Sequence, residues 1–268
     1  MGENKNDIFD NLLFSCACEK YRSDEQILPE HFLAIHLSGE THMQITGKNL
    51  VFKEGSIILV RKNQLFRAVK IPGSNGEYKA VAIFLNEDVL RKYASLHRIP
   101  EQERYIGEST IIIKKNPFIQ GYFKSLLPYE DSTIKKTHSL SDIKINEAIE
   151  LLLQYNPDFK KFLFDFSKLH KIDIEKFMLQ NYKSNVPIEQ FAKLTGRSLA
   201  SFKRDFKKTF GQSPRQWLQG QRLTEAHRLI TKENQKPTDI YLDLGFENLS
   251  HFYFSFKQKY GVTPTELK

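Results

Sequence analysis

In the C-terminal part of the chain, apolar positions recur at intervals of three and four, which puts their side chains on one helix face. Leu199, Phe202, Phe206 and Phe210 form one such set; Leu249, Phe252, Phe256 and Tyr260 repeat it fifty positions later. The same offset links Pro187 to Pro237, Leu194 to Leu244, Lys207 to Lys257, Gly211 to Gly261 and Pro214 to Pro264. Phe191/Tyr241 and Phe210/Tyr260 keep a ring in place. A repeat of this kind fixes the architecture before any other feature does.

Each copy predicts the same elements. A short helix over 187–194, or 237–244, begins at a proline, which suits a first turn because no N–H is needed there. Thr195-Gly196-Arg197-Ser198 and Gly245-Phe246-Glu247-Asn248 supply turn chemistry, and Ser198 and Asn248 are good caps for a second helix. Gly211 and Gly261 stop that helix. Ser213-Pro-Arg-Gln216 and Thr263-Pro-Thr-Glu266 both read as capping boxes. The first opens a long helix over 214–231, carrying Trp217, Leu218, Leu223, Ala226, Leu229 and Ile230, that joins the two copies. A short helix, a tight turn and a longer helix make a helix-turn-helix. A helical repeat used for protein contacts is the alternative. Two features favour DNA. There are only two copies, fewer than a solenoid needs, and the outward face of the first long helix is basic (Lys203, Arg204, Lys207, Lys208) where a helix-turn-helix meets the major groove.

The N-terminal half has a different rhythm. Residues 32–37, 41–46, 56–60 and 78–85 read as strands, broken by Gly39, Gly47, Gly55 and the loop at 72–76. Helices are predicted over 86–94, 117–126 and 140–155. The last carries Ile143, Ile145, Ala148, Ile149, Leu152 and Leu153, either as a dimer surface or packed on the strands. Phe159, Phe162, Phe164 and Phe166 predict that the joining segment 156–168 packs rather than dangles. The fold class is α+β, a β-rich part with helices followed by an all-α part.

Charge sharpens that division. The net charge is +8. Residues 170–268 hold 17 Lys and Arg against 10 Asp and Glu, whereas residues 1–169 hold 23 against 22. A basic domain on a neutral one points to a polyanion partner for the basic part. No apolar run is long enough to span a membrane, and residues 1–10 do not read as a signal peptide. Cys16 and Cys18 are too close for an ordinary disulfide and read as reduced thiols of a cytoplasmic protein. His31, His36 and His42 lack metal-ligand spacing. No phosphate loop, Ser/His/Asp set or paired carboxylates appear. The expectation is no metal, no cofactor and no catalysis.

At Phe202-Lys-Arg-Asp-Phe-Lys-Lys-Thr-Phe-Gly211-Gln-Ser-Pro214, Arg222-Leu-Thr-Glu-Ala226, Leu244-Gly-Phe246, Ser250-His-Phe-Tyr-Phe-Ser-Phe256-Lys and Gly261-Val-Thr-Pro264, the chain resembles the AraC/XylS family of bacterial regulators. The resemblance covers about 170–268 and implies a seven-helix DNA-binding domain whose two recognition helices enter successive major-groove segments of double-stranded DNA. It places Ala200, Lys203 and Arg204 at or beside base edges in the first unit, flanked by Ser198, Ser201, Lys207 and Lys208. Arg204 suits guanine O6/N7 or a phosphate. In the second unit it places Leu249, Ser250, His251 and Phe254 at the corresponding positions, with Asn248, Tyr253 and Lys257 beside them and Lys259 beyond. Phe254 departs from the family, which often has a polar residue there. The first unit is therefore expected to carry more of the readout, and the second phosphate contacts and contact with thymine methyls. Helix starts at Pro187 and Pro237 are further candidates for phosphates.

The Leu37-Ser-Gly-Glu40 turn and Lys53-Glu-Gly55-Ser-Ile-Ile resemble the small cupin-like β-barrel often joined to such a domain. Tyr21-Arg-Ser-Asp-Glu-Gln-Ile-Leu-Pro-Glu-His-Phe32 is similar to activators of the ExsA type. Together the resemblances imply a cupin-like regulatory or dimerisation domain over 1–165 and a DNA-binding domain over 170–268. They also imply activation through RNA polymerase, homodimerisation, and control by a small ligand or a regulatory protein. A cupin-type small-molecule binding protein or enzyme, and a protein-interaction adaptor, are the rival readings. Bound metal or turnover would favour the cupin-type reading, and binding blind to DNA sequence the adaptor.

Overall fold

The computed structural model describes residues 5–9, 11–23, 25–45, 48–100, 102–130, 138–167 and 171–267. Thr46 and Gly47 of the expected strand and its breaker, Lys168 of the expected joining segment, and the end residues His170 and Lys268 of the expected DNA-binding domain lie outside the described residues. The chain divides into two compact units, Met1–Ser167 and Lys168–Lys268.

The first unit holds strands β1 (Lys5–Phe9), β2 (Leu12–Ala17), β3 (Tyr21–Arg22), β4 (Gln26–Leu28), β5 (His31–Ser38), β6 (Glu40–Ile45), β7 (Lys48–Lys53), β8 (Ile57–Val60), β9 (Gln64–Ile71), β10 (Tyr78–Leu85) and β11 (Thr110–Ile113). One antiparallel sheet runs β1-β2-β10-β5-β8-β11 and a second runs β3-β9-β6-β7, with β4 also on β9. The two sheets share no strand, so pairing among the described residues closes no barrel. Phe32, Ala34, Ile58 and Val60 of the first sheet meet Met43, Ile45 and Phe52 of the second.

The first sheet's composition reflects its place between two layers. β5 and β8 are buried along almost their whole length rather than at alternate positions, because both faces of that sheet are covered. Leu33, Ile35, Ile57, Leu59, Val81 and Ile83 point to the side away from the second sheet. Four helices lie there: α1 (Glu87–Leu96), α2 (Pro117–Leu126), α3 (His138–Tyr155) and α4 (Phe159–Leu163). Asn86 and Asn116 cap the first two. Ile145, Ala148, Ile149 and Leu152 of α3 are in this core, while Ile143 is exposed. Phe159, Phe162 and Phe164 are buried in the same core, with Phe166 packed against it.

His31 and His36 are buried and His42 is exposed beside Glu40. Among the described residues no three His, Cys, Asp or Glu side chains group as a metal ion would require. No helix among them is long and apolar enough to cross a membrane.

The second unit is helical: α5 (Ile174–Asn181), α6 (Ile188–Leu194), α7 (Leu199–Phe210), α8 (Pro214–Glu233), α9 (Pro237–Ile240) and α10 (Leu249–Tyr260). α8 serves two cores. Near its start Trp217 packs edge-on to Phe206 of α7, with ring centroids 5.6 Å apart. Further along, Leu223, Ala226 and Ile230 meet Phe252 and Phe256 of α10.

Two expectations from the repeat need correction. The helix expected over 237–244 ends at Ile240 and continues as turns. Thr238, Asp239 and Asp243 favour local side-chain bonds over a helix interior, and the Thr238 hydroxyl donates to the Asp239 carboxylate. The second capping box is half made. The Glu266 carboxylate accepts from the Thr263 amide, but the Glu266 amide donates to the Thr263 carbonyl, and the Thr263 hydroxyl lies 3.2 Å from that of Thr265. Residues 264–267 form turns, leaving six helices among the described residues of this unit where seven were expected.

Candidate DNA interface

The first recognition helix is built by its caps and its buried stripe. The Ser198 hydroxyl accepts from the Ser201 amide, and Gly211 ends α7 with φ +72°, a conformation that favours glycine. Phe202 and Phe206 are fully buried. This forces Ala200, Lys203, Arg204 and Lys207, at spacings of three and four, onto the opposite face, where all four are exposed. Lys208 and Ser198 are exposed and Ser201 is half-buried. Lys203, Lys207 and Lys208 have no side-chain ion pair or hydrogen bond among the described residues, so their charges face solvent unopposed.

Arg204 is held differently. Its Nε and Nη2 both lie 3.3 Å from Asp205 Oδ1, and Nη2 also reaches Ser201 Oγ. The other Asp205 oxygen accepts from Arg197 Nε at 3.1 Å. Arg197 in turn donates to the carbonyls of Ile172 and Thr195, which fixes it to the body of the unit. Arg197, and then Arg204, hold the Asp205 carboxyl below the ordinary carboxylate range. The chain Arg197–Asp205–Arg204 orients an exposed guanidinium without hiding it: Arg204 remains 74% exposed.

The second recognition helix repeats the frame with different chemistry. Asn248 Oδ1 accepts from the His251 amide at 2.8 Å, and Gly261 closes α10 with φ +78°. Phe252, Ser255 and Phe256 are buried. Asn248, Ser250, His251 and Lys257 are exposed, Leu249 and Tyr253 are half-buried, and Phe254 is 68% exposed. No Lys or Arg lies on the first two turns of this helix. Lys259 does not face outward freely, because its Nζ donates to Gly220 O and Thr224 Oγ1 of α8, each at 2.8 Å.

The joint between the two helix-turn-helix copies does not follow from spacing. Arg222, near the middle of α8, donates to three backbone carbonyls: Tyr182 and Ser184, after α5, and Gly245, in the turn of the second helix-turn-helix. Gln219 Nε2 reaches Ser255 Oγ of α10 at 2.8 Å. Lys183 and Arg228 meet on Glu225. These partners stand up to 42 residues apart in sequence, so no local pattern could pair them. At the starts of α6 and α9 one backbone amide each is already engaged. The Gln190 and Asp239 amides already donate to Pro187 and Lys236 carbonyls, and both helices are short.

Comparison with known proteins follows this division. The family described as Helix-turn-helix domain matches residues 191–268. The ExsA N-terminal regulatory domain matches residues 31–163. Virulence regulon transcriptional activator VirF of Yersinia enterocolitica is 30% identical over 88% of both chains. The chain belongs to the AraC/XylS family of transcriptional regulators. HTH-type transcriptional regulator ExsA of Pseudomonas aeruginosa is 26% identical to the regulator, over 89% of this chain and 83% of its own. Thermoregulatory protein LcrF of Yersinia pestis is 26% identical over 88% of both. A crystal structure of apo ToxT from Vibrio cholerae covers 96% of both chains at 11% identity with a TM-score of 0.46, too distant to bear on the site.

Proposed function

We infer that the regulator activates transcription by laying α7 and α10 into successive major-groove segments of double-stranded DNA, about 10 base pairs apart. The observation that carries this reading is the unopposed basic face of α7 on a helix-turn-helix, tied to a second such unit through Arg222. In this reading Arg204, with Ala200, Ser201 and Lys203, reads base edges in the first segment, and Lys207 and Lys208 hold phosphates beside it. Asn248, Leu249, Ser250, His251, Tyr253 and Phe254 face the second segment, with Lys257 on its backbone and Phe254 against thymine methyls. Residues 1–165 act as the regulatory part and 170–268 as the DNA-binding part.

We read the two-sheet core as a cupin-like barrel left open, supported by its two facing antiparallel sheets and the Gly39 and Gly55 turns. That part responds to a regulatory protein or small ligand. The regulator works in the cytoplasm, where bacterial DNA lies, contacts RNA polymerase, and pairs as a homodimer; sedimentation velocity tests the last point.

The test of the DNA reading is fluorescence anisotropy of the full chain against duplexes it selects from a random pool, at several salt concentrations. Selective binding that weakens steeply with salt and is lost in Arg204→Ala supports it. Selective binding that survives Arg204→Ala moves the readout to α10. Binding indifferent to sequence sinks the reading in favour of an adaptor.

A further inference from the structure

Among the described residues of the second unit, two adjoining concavities share a wall. One, of about 690 Å³, lies between the start of α6, the first half of α8 and the start of α10. The other, of about 520 Å³, lies between the start of α6, Lys203 and Lys207 of α7, and the start of α8. Ile188, Glu189 and Arg215 line both. They form one trough that runs from the basic face of α7 to His251 on α10.

Arg215 stands where the two halves join. The second unit has five arginines, of which four are engaged. Arg197 and Arg204 share Asp205, Arg222 holds three carbonyls, and Arg228 pairs with Glu225 and Glu233. Arg215 is exposed and has no ion pair or hydrogen bond among the described residues.

Its position makes this freedom informative. Arg215 follows Pro214 in the first turn of α8, where the helix dipole disfavours a cation, and no acidic side chain stands in that turn to offset it. Lys207 and Lys208, by contrast, lie in the last turn of α7, where the dipole favours them. Glu189 and Glu247 are the acidic side chains that line the trough, and neither pairs with Arg215. Local stability therefore does not explain a cation here. An anion crossing the trough from α7 to α10 would.

We propose that Arg215 grips a backbone phosphate of the DNA stretch that passes between the two major-groove segments, and so sets the register of both recognition helices. This rests on the DNA-binding reading. Phosphate contacts of this kind position a protein without reading sequence, which separates Arg215 from Arg204 in any experiment that compares sequences.

The test uses the full chain and a duplex selected from a random pool by the wild-type protein, with a scrambled duplex as control. Arg215→Gln is expected to weaken binding to both duplexes by the same factor, roughly tenfold for one charge-assisted contact. It should also lower the slope of log K against log salt by about 0.9, while Arg215→Lys restores most of both. Neutral methylphosphonate placed singly along the intervening stretch should weaken the wild type at one position and leave Arg215→Gln unaffected there. The melting temperature of Arg215→Gln should be equal or higher, because a cation leaves the positive end of α8. Unchanged affinity and slope in Arg215→Gln, with selective binding still lost in Arg204→Ala, overturns the proposal and spares the DNA reading. Loss of selectivity rather than affinity makes Arg215 a base reader and also overturns it. If no selective duplex emerges at all, the DNA reading falls and this proposal with it.

Discussion

Arg222 Nη1 donates to the carbonyl of Gly245 at 2.8 Å, joining the middle of the long helix to the turn of the second helix-turn-helix. Gly245 sits at φ +84°, and a Cβ built on it would lie 2.8 Å from Arg222 Cζ and 2.5 Å from the Lys183 carbonyl. Neither neighbour can give way easily. The arginine is fixed by two further carbonyls, and the other contact is backbone. Gly245→Ala is expected to destabilise the second unit by about 2 kcal/mol or more, from a left-handed alanine plus the clash. Arg222→Lys, which cannot span three acceptors, should cost about 3 kcal/mol. Urea unfolding followed by Trp217 fluorescence measures both. A Gly245→Ala midpoint equal to wild type would show that the turn relaxes and the joint is not rigid.

Asp205 is the positioning residue for Arg204. Asp205→Asn keeps the size of the side chain and removes the charge that two guanidiniums share. Arg204 then samples more rotamers, so binding to the selected duplex should weaken about three- to tenfold while binding to a scrambled duplex changes little or improves, the local charge having become more positive. Anisotropy on the two duplexes distinguishes this from unfolding, which would weaken both alike. Equal effects on both duplexes would remove Asp205 from the readout.

Phe254 is 68% exposed, so nothing in the fold requires it. Phe254→Ala should leave stability within about 0.5 kcal/mol of wild type. If it meets thymine methyls, the substitution weakens binding, and replacing thymine by deoxyuracil in the second segment weakens wild type but not Phe254→Ala. A variant that binds as the wild type does would leave the second segment to Ser250, His251 and phosphate contacts.

The second unit was legible because its signals are local. Caps, glycine stops and the three-and-four spacing of phenylalanines act within a turn or two, and the repeat printed them twice. α9 ended early because Thr238 and Asp243 outweigh a register copied from the first unit. The first unit was legible only in part. Strands β5, β6, β8 and β10 stood out as β-rich runs between glycines, and Asn86 and Pro117 marked helix starts. β7, β9 and β11 did not, and the pairing of β10 with both β2 and β5 depends on partners far apart in the chain. Whether the sheets close into a barrel is a property of two edges, which no single segment carries. The same holds for the site. Outward positions on α7 follow from its buried face, but that Asp205 orients Arg204 and α8 holds Lys259 follows only from the packed whole.

The buried histidines of the first unit give it an acid limit distinct from that of the second. Burial pushes His36 down to about 4, and burial with Lys62 and Arg61 nearby pushes His31 down to about 3. In the unfolded chain both take up a proton near 6.5. The unfolded state therefore binds more protons below that pH, and stability falls as pH drops from about 6.5 toward 4, and toward 3 for His31. Each histidine contributes a slope of roughly 1.4 kcal/mol per pH unit within its window. In the second unit Glu225, held down to about 2 by Arg228 and Lys183, gives stability that is lost only as pH falls below about 4.5. The chain has one tryptophan, Trp217, which lies in the second unit. Between pH 6 and 5 the urea midpoint read by circular dichroism at strand wavelengths should fall, while the midpoint read by tryptophan fluorescence stays nearly flat. His36→Gln, which keeps a partner for the Thr41 hydroxyl now 2.8 Å from His36 Nε2, should halve the slope of the first. A first-unit midpoint that does not move over this range would mean that the two rings are reached by protons without unfolding.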